Sequence, residues 1–291
     1  MVIALAAIGS YILLVGVASF IESPVGREFD ALQLNALIRI GSAILAVAAF
    51  LVVHGVSLPP PLSLAAGIGI GLLAGAGSIC YCFSLNYLPV SLVVSVANLS
   101  IVVTIALGAA ILHENIAPLK IAALVLTVAG ALALSRPPAR HGVQGPEATT
   151  SPHHQVPGFG LLILYLALVG VSTFLEKLAL RQLDATQLNA LQAIGMLVVG
   201  AAALVAVREF PRSGWHMVGS VGVGAMIGLG SIFYFLGLTR LPVSIAVGAA
   251  NGYVVVTVLL SVLVGHAERT WSTGLAIVLS VAGVMLFVFA A

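Results

Sequence analysis

Apolar residues run along the chain in long stretches, which prolines and clusters of polar and charged residues interrupt. A stretch of about 20 mainly apolar residues is long enough to cross the roughly 30 Å hydrocarbon core of a bilayer as a helix. In lipid only helices and closed barrels satisfy their backbone groups, and these stretches are apolar all round rather than alternating as barrel strands do. The pattern therefore predicts an all-α integral membrane protein with ten transmembrane helices, at 2–21, 32–53, 64–86, 90–112, 118–135, 158–175, 187–207, 217–238, 243–264 and 273–290.

The composition excludes most soluble classes of protein. Of the 291 residues, 61% are hydrophobic and 7% are charged, whereas a soluble domain has about 25% charged residues. The formal net charge of +2 is too small to indicate a nucleic-acid partner. Cys80 and Cys82 lie in an apolar stretch and indicate neither a disulfide framework nor a metal site. The sequence shows no nucleophile motif, phosphate-binding loop or zinc-ligand spacing, so we expect no enzyme, no cofactor and no bound metal.

The segment 136–157 is the one long polar stretch and contains five prolines. Such a composition is typical of a flexible linker without a core of its own. The linker separates residues 1–135 from residues 158–291. The first apolar stretch has no positively charged region before it, so we interpret it as the first span rather than as a cleaved signal.

The two parts of the chain repeat each other. Residues 20–41 match residues 174–195 at an offset of 154, with more than half of the positions identical, and residues 75–91 match residues 228–244 at an offset of 153. The matches include Glu, Asp, Asn, Tyr and Pro in register, which a bias toward Ala, Leu and Val does not produce. Each repeat has five predicted spans, and because five is odd the second repeat begins on the opposite side of the membrane. Two inverted five-helix repeats can rock around a site at their junction, which is the geometry of alternating access.

Several short motifs recur at matching positions in both halves. They are the Leu-Pro-Val-Ser turns at 88–91 and 241–244, the acidic residues Glu114 and Glu268 after the fourth and ninth spans, and the Ala-Gly steps 129–130 and 282–283. With these motifs, and with Arg39 in the second span, the sequence resembles the EamA family of the drug/metabolite transporter superfamily. The resemblance implies a secondary transporter of small metabolites, often an exporter and often proton-coupled. Many members have a proline near the middle of spans four and nine. This sequence has none in the corresponding stretches 98–104 and 251–257, so the resemblance does not predict a kink there.

We therefore predict a secondary transporter that moves a small polar or amphipathic metabolite by alternating access, driven by protons or by substrate exchange. Its expected partners are the small-molecule substrate, the lipid bilayer and protons, with no nucleic acid. A monomer is sufficient for the transport pathway, and a dimer is not excluded. The expected location is the plasma (inner) membrane, as a multi-pass protein. Two alternatives are a passive pore, which would need a continuous polar ring, and an intramembrane lipid-handling protein.

Arg39 is the first candidate for substrate binding. It lies about seven residues into the second span, roughly 11 Å along the helix, and Asn35 lies one turn before it on the same face. A charge this deep is costly and should face the interior of the bundle. It could anchor a carboxylate or phosphate or pair with a coupling glutamate. The alternatives are a structural ion pair and a side chain that reaches back to the interface. Its repeat position is Ala193.

The remaining candidates are polar residues that recur in the repeat. Asn98 and Asn251 lie at mid-depth in spans four and nine, where they could line a central cavity or bond helices together. A tyrosine offers a ring wall and a hydroxyl, although Tyr81 and Tyr234 could equally be interfacial anchors. The other candidate residues for substrate binding are Asn189, Tyr11, Tyr165, Ser78 and Ser231.

Two pairs of glutamates end or begin spans. Glu22 and Glu176 end spans one and six, where they could be protonatable gates, or interfacial carboxylates with Lys177 as a partner of Glu176. Glu114 and Glu268 precede spans five and ten, where a carboxylate is expected to cap the helix N-terminus, the alternative being a role in catalysis or coupling. Glycines spaced by four predict close helix packing; they are Gly67, Gly71, Gly75, Gly224 and Gly228.

The orientation of the termini has two conflicting indications. Positive residues favour cytoplasmic loops, and six of them fall in one set of loops against four in the other, which favours both termini outside. The family resemblance implies both termini in the cytoplasm, and we follow it. The first set is Arg27, Arg136, Arg140, Arg208, Arg212 and Arg269; the second is Lys120, Lys177, Arg181 and Arg240.

Overall fold

The computed structural model describes residues 1–134, 152–208, 214–265 and 271–289. In these residues the chain forms twelve α-helices, with a 3₁₀ turn at Gly26–Glu28. The helices are α1 Val2–Val25, α2 Ala31–His54, α3 Pro61–Ser84, α4 Val90–Ala97, α5 Ser100–Leu112, α6 Pro118–Leu134, α7 Pro152–Ala179, α8 Ala185–Val207, α9 Gly214–Arg240, α10 Val243–Ala250, α11 Tyr253–Leu263 and α12 Trp271–Phe289.

Seven helical segments are long and apolar enough to cross a membrane, and three shorter apolar helices accompany them. This confirms the all-helical architecture with several membrane-length helices, and the count of ten spans stays a prediction. α7 begins at Pro152, ahead of the predicted start at Gly158, so the last residues of the predicted linker are helical. Most of that linker lies outside the described residues. The shorter helices are Ser100–Leu112, Pro118–Gly130 and Gly274–Phe289.

Helix starts follow local sequence signals. Asp30 caps α2 by accepting a hydrogen bond from the Gln33 backbone at 2.8 Å. Asp184 caps α8 in a capping box with Gln187. α3 begins at Pro61, where proline is tolerated because the first N–H groups of a helix have no partner within it.

The predicted fourth and ninth spans are not continuous helices, which corrects the sequence-based expectation. α4 ends at Ala97 and α5 begins at Ser100, and the second half is interrupted in the same way between α10 and α11. Neither interruption contains a proline. The Asn98 side-chain amide donates to the Val94 carbonyl at 2.9 Å, and the Asn98 backbone N–H lies 3.4 Å from the same oxygen. The side chain thus competes with the backbone for one acceptor, and the chain tightens locally.

Asn251 makes the matching interruption in the second half. Its side-chain amide donates to the Val247 carbonyl at 3.1 Å, and its backbone N–H is again 3.4 Å from that oxygen. The next residue, Gly252, donates its N–H to Ala249 at 2.9 Å, a bond that spans three residues rather than four. The two interruptions therefore have one physical cause.

Helices at matching repeat positions pack in matching ways. α1 packs on α9 as α3 packs on α7, α2 packs on α9 as α3 packs on α8, and α1 packs on α11 as α5 packs on α7. The pairs α2–α8 and α6–α12 contact each other directly. Glycines permit the closest approaches, because a Cβ at Gly71 would overlap the Gln192 backbone and a Cβ at Gly224 would overlap the Ile38 backbone. This confirms the predicted packing role of these two glycines.

The two ends of the bundle differ. We call one end the α10 end: it contains the last residues of α2, α5, α7 and α9 and the first residues of α3, α8 and α10. The other, the linker end, contains the last residues of α1 and α3 and the first residues of α2, α7 and α9. Every residue of α10 is buried, whereas Val90 at the start of α4 is 61% exposed. The largest hydrophobic cluster includes Leu241, Val243 and Ile245, so the core is thickest at the α10 end.

Candidate functional site

Two pairs of tyrosines lie in contacts between the halves. Tyr11 of α1 packs on Tyr234 of α9 with ring centroids 5.3 Å apart. Tyr81 of α3 packs on Tyr165 of α7 at 5.5 Å. The two pairs are counterparts in the repeat, because Tyr11 matches Tyr165 and Tyr81 matches Tyr234. Tyr234 is buried within the bundle, which argues against its alternative as an interfacial anchor.

A fifth tyrosine, Tyr253 of α11, belongs to the same aromatic group and was missed from the sequence. Its ring meets Tyr11 edge-on at 6.5 Å. Its repeat position is Ser100, which lies within hydrogen-bond reach of the Tyr165 hydroxyl. The sequence contained a signal for Tyr253, because Ser100 and Tyr253 each follow a repeated asparagine, Asn98 or Asn251, by two positions.

Glu176 is a buried carboxylate in the interior rather than an interfacial one. It is 5% exposed, and its Oε1 accepts a hydrogen bond from Gln192 Nε2 at 2.7 Å. The Tyr234 hydroxyl lies near the carboxylate, but it makes no well-formed hydrogen bond. Lys177 does not pair with Glu176, which corrects that alternative: its Nζ donates to the Leu238 carbonyl at 2.5 Å and to the Leu241 carbonyl at 2.8 Å.

Arg39 and Asn35 present unpaired donors on one face of α2. Arg39 Nε and Asn35 Nδ2 are buried and have no hydrogen-bond partner. Glu22 and Tyr165 are close enough to interact electrostatically with the Arg39 guanidinium. Among the described residues, the ion pairs within 4 Å involve His54 and His216, and neither involves Arg39. The structural ion-pair alternative for Arg39 is therefore not supported.

Asn189, the repeat counterpart of Asn35, has a different environment. Its Nδ2 donates to the Gly228 carbonyl at 3.0 Å and bonds α8 to α9. Ser78 and Ser231 also use their hydroxyls within the helices that carry them, donating to Gly75 at 2.7 Å and to Ile227 at 3.0 Å. These three predicted binding residues thus have structural hydrogen bonds.

Asn98 and Asn251 line one small pocket, where the two interrupted spans meet α6 and α12. Thr127 and Ser280 line it as well and match each other at an offset of 153. The pocket has a volume of about 10 Å³, room for about one water molecule. The structure therefore brings the two asparagines together, in a conformation that excludes a larger guest from this point. Sequence reasoning missed Thr127 and Ser280, which lie three residues before the repeated glycines Gly130 and Gly283.

Glu114 caps a helix of the other half, which corrects the expectation that it caps its own next helix. Its Oε1 accepts from the Val243 N–H at 2.6 Å, and its Oε2 accepts from the Ser244 N–H at 3.1 Å and from the Ser244 hydroxyl at 2.8 Å. α10 starts after Pro242, whose side chain cannot accept a hydrogen bond, so its first N–H groups need an outside partner. Glu268 lies outside the described residues.

A second polar contact between the halves lies at the α10 end. His54 at the end of α2 contacts Asp184 at 2.9 Å and Thr186 at 3.0 Å. Burial alone would raise the pKa of Asp184, but hydrogen bonds from Thr186 and Gln187 and the nearby His54 hold it below its usual value. Among the described residues, no three His, Cys, Asp or Glu side chains come together as a metal site.

Several long apolar helices define an integral, multi-pass membrane protein. A model of the EamA-like transporter family matches residues 1–136 and 156–289. The chain belongs to this family, which is part of the drug/metabolite transporter superfamily, and membership implies a transporter of that type. A known crystal structure has a similar fold, with a TM-score of 0.80 and 22% sequence identity over 99% of this chain and 97% of the other. No curated protein matches the chain at a significant level.

Proposed function

We propose that the protein is a secondary transporter that moves a small polar or amphipathic metabolite across the plasma (inner) membrane by alternating access, and that it is not an enzyme. In this proposal ten spans form two inverted repeats, residues 1–135 and 158–291. The observation that carries it is the matched packing of the halves, in which α1–α9 corresponds to α3–α7 and each contact contains a tyrosine pair. Inverted repeats around a shared centre are the architecture that supports alternating access.

The substrate would bind between the halves, against the first half's unpaired donors. Arg39 Nε and Asn35 Nδ2 are buried without partners, and a buried donor left unsatisfied is costly. A carboxylate or phosphate group on the substrate would satisfy both. The rings of Tyr81 and Tyr165 lie together and would provide an aromatic wall with hydroxyl groups.

Interior carboxylates support coupling to protons. Glu176 is buried and bonded to the neutral amide of Gln192, and Glu22 faces Arg39 without a close ion pair. A carboxylate in a dehydrated interior is costly unless it is paired or protonated. Each glutamate would therefore exchange a proton when the surrounding helices move and water enters. Substrate exchange remains the competing driving force.

Transport in proteoliposomes tests this proposal. A panel of neutral, zwitterionic and anionic solutes is offered with and without a pH gradient to the wild type, Arg39→Ala and Glu22→Gln. We expect saturable uptake of a subset, a loss of roughly tenfold or more in Arg39→Ala, corresponding to about 1.4 kcal/mol, and loss of gradient dependence in Glu22→Gln. Arg240→Ala is the matched control, because Arg240 is exposed at the end of α9.

Three outcomes would contradict parts of the proposal. Unchanged uptake in both Arg39→Ala and Glu22→Gln would remove the site assignment. Flux that neither depends on a gradient nor exchanges labelled for unlabelled solute would indicate a pore. Turnover or movement of lipid without movement of any soluble solute would indicate a lipid-handling protein.

A further inference from the structure

Two charged side chains hold the turn between α9 and α10 from outside. Lys177 of α7 donates to the carbonyls of Leu238 and Leu241 at the end of α9. Glu114, which follows α5, accepts three hydrogen bonds from Val243 and Ser244 at the start of α10. We call Glu114, Lys177 and the turn Leu241–Ser244 the α9–α10 clamp. Neither charged residue is among the groups that would bind the substrate.

The clamp matches each charge to the helix end that attracts it. The last carbonyls of a helix carry partial negative charge and favour a cation, and the first N–H groups carry partial positive charge and favour an anion. The hydrogen bonds are charge-assisted, which makes them stronger than bonds between neutral groups. Lys177 and Glu114 also attract each other electrostatically. The turn is therefore held at both of its helix ends.

Glu114 joins the two halves at a deeply buried part of the bundle. Glu114 belongs to residues 1–135, and the turn that it binds belongs to residues 158–291. Leu241, Val243 and Ser244 are 4%, 0% and 1% exposed. His54 with Thr186 and Ser63 with Gln182, each at 3.0 Å, also join the halves at this end. The linker end has a contact between the halves of its own, Glu28 with His216 at 2.6 Å.

The matching turn at the linker end lacks one component of the clamp. The Leu-Pro-Val-Ser sequence recurs at 88–91, but the position that matches Lys177 is Ser23, which has no amine. Val90 is 61% exposed, in contrast to the fully buried Val243. The two repeated turns therefore differ in burial and in the residue at the Lys177 position.

We propose that the α9–α10 clamp is the latch that keeps the α10 end closed, and that its release opens the pathway at that end. Glu114 and Lys177 are then positioning residues for the transport cycle. The inference rests on the proposed alternating-access function, because a latch between halves has a role only if the halves move relative to each other.

Distances across the α10 end test the latch. Spin labels are placed at Ile111→Cys and Arg240→Cys, both exposed, in a Cys80→Ser/Cys82→Ser background, and distances are measured by electron–electron double resonance in liposomes. Glu114→Gln removes the charge, and its NH2 group replaces one of the two oxygens that accept hydrogen bonds from Val243 and Ser244. We expect it to raise the population with the longer distance about tenfold relative to the shorter one, equivalent to about 1.4 kcal/mol. Lys177→Met should shift the populations in the same direction.

Milder and matched variants keep the test decisive. Ser244→Ala removes one of the three bonds to Glu114 and should give a smaller shift in the same direction, even if Glu114→Gln fails to fold. Arg181→Met removes an exposed cation close to Lys177 and should leave the distances unchanged. Glu268→Gln removes the carboxylate that follows the ninth predicted span, as Glu114 follows the fourth, and should not lengthen this distance. An equal shift in either control, or no shift in the clamp variants, would overturn the latch.

A counterflow assay on the same samples separates the two proposals. If solute exchange persists and the distances do not respond to Glu114→Gln or Ser244→Ala, the latch is wrong and the transporter stands. If the distances respond but no solute in the panel exchanges, the transporter proposal fails and the latch loses its role.

Discussion

Several charged side chains of this protein contact helix ends and amides instead of opposite charges. Lys177 binds the carbonyls that end α9, Glu114 binds the N–H groups that begin α10, and Glu176 binds the amide of Gln192. The ends of a helix carry partial charges that can stabilise a charged side chain without an oppositely charged residue. A chain with only 7% charged residues can thus hold charges inside with few ion pairs among the residues that the structure describes.

Asp184 gives a pH-dependent prediction. Its pKa is held below the usual value of about 3.9 for aspartate, so its contribution to stability is complete above that pH and is lost as the pH falls through the lowered pKa. Asp184→Ala removes the cap of α8, which is worth about 1 kcal/mol. We expect a melting temperature about 2–4 °C lower at pH 7 and a smaller difference at pH 3, measured by thermal unfolding in detergent.

Asp30→Ala is the control for Asp184→Ala. Asp30 caps α2 through one backbone N–H, whereas Asp184 accepts bonds from both Thr186 and Gln187 and also contacts His54. The loss at pH 7 should therefore be larger for Asp184→Ala. Equal losses in both variants, or a difference from the wild type that grows on acidification, would contradict this account.

Glu176 gives a prediction about coupling. Glu176→Gln preserves the shape of the side chain but cannot carry a proton, and its bond to Gln192 can be kept by one amide oxygen. We expect uptake driven by a pH gradient to be lost, and exchange at equal pH on both sides to persist, in proteoliposomes. Glu28→Gln, which changes an exposed carboxylate at the linker end that contacts His216, should keep both activities. Gradient-driven uptake in Glu176→Gln equal to the wild type would exclude this residue from coupling.

The sequence could locate these residues but not their partners. The repeat register identified Tyr11, Tyr165, Tyr81 and Tyr234, because a tyrosine that recurs at a fixed offset stands out from Ala, Leu and Val. It could not show that Glu114 reaches α10 instead of α6, since that contact depends on how two distant segments pack. For the same reason Asn35 and Asn189 looked equivalent, although only Asn189 bonds a neighbouring helix.

Two features shape the packing of the helices: close contacts at glycines that correspond in the repeat, and two interrupted spans. Gly71 of α3 lies against α8, and Gly224 of α9 lies against α2. Close backbone contacts of this kind let helices approach without large side chains between them. The interruptions at Asn98 and Asn251 place short helices, α4 and α10, next to the turns that differ between the two ends.

Two glycines of α9 give a matched prediction for packing. A side chain at Gly224 would overlap the Ile38 backbone, whereas Gly222, two residues earlier, has nothing within 4 Å of an added Cβ. Overpacking a tight contact costs about 1–3 kcal/mol. Gly224→Leu should therefore lower the melting temperature in detergent by several degrees, and Gly222→Leu should leave it nearly unchanged. Similar melting temperatures for the two variants would show that this approach is not tight.

Helix boundaries were largely predictable and the interruptions were not. Aspartate caps, the prolines at 59–61 and the short Pro turns mark where the backbone must stop or start. Hydropathy cannot detect the interruption at Asn98, because its neighbours are as apolar as any membrane helix and the cause is one amide that bonds its own helix. The start of α7 at Pro152 was missed because proline is compatible with the first turn of a helix as well as with a linker.

The whole molecule combines a repeated architecture with unequal ends. Packing partners correspond between the halves, yet α10 is entirely buried and the start of α4 is not. In the proposed alternating-access cycle, such a difference would distinguish one of the two states from the other. The sequence predicted the repeat, but it could not predict that α10 is more deeply buried than the start of α4.

The topology of the chain tests the inverted arrangement. If the chain crosses the membrane ten times, both termini lie on one side and the linker 136–157 lies on the other, so residues 1 and 158 begin their halves on opposite sides. Single cysteines are introduced in the linker and next to each terminus, in a cysteine-free background. A membrane-impermeant maleimide should label the linker cysteine from one side of the membrane and the terminal cysteines from the other. Labelling of the linker and the termini from the same side would remove the inversion and the transport mechanism built on it.

Arg39 corresponds to Ala193 in the repeat, and this difference between the halves would have a kinetic consequence. A substrate with one anionic group would stay bound to Arg39 in the first half throughout transport and would keep its orientation. Its charged group would therefore lead at one side of the membrane and trail at the other. The Haldane relation still forces the forward and reverse fluxes to balance at equilibrium. The half-saturation concentrations measured from the two faces should nevertheless differ, and a substitution that equalised the halves at this position would bring them together.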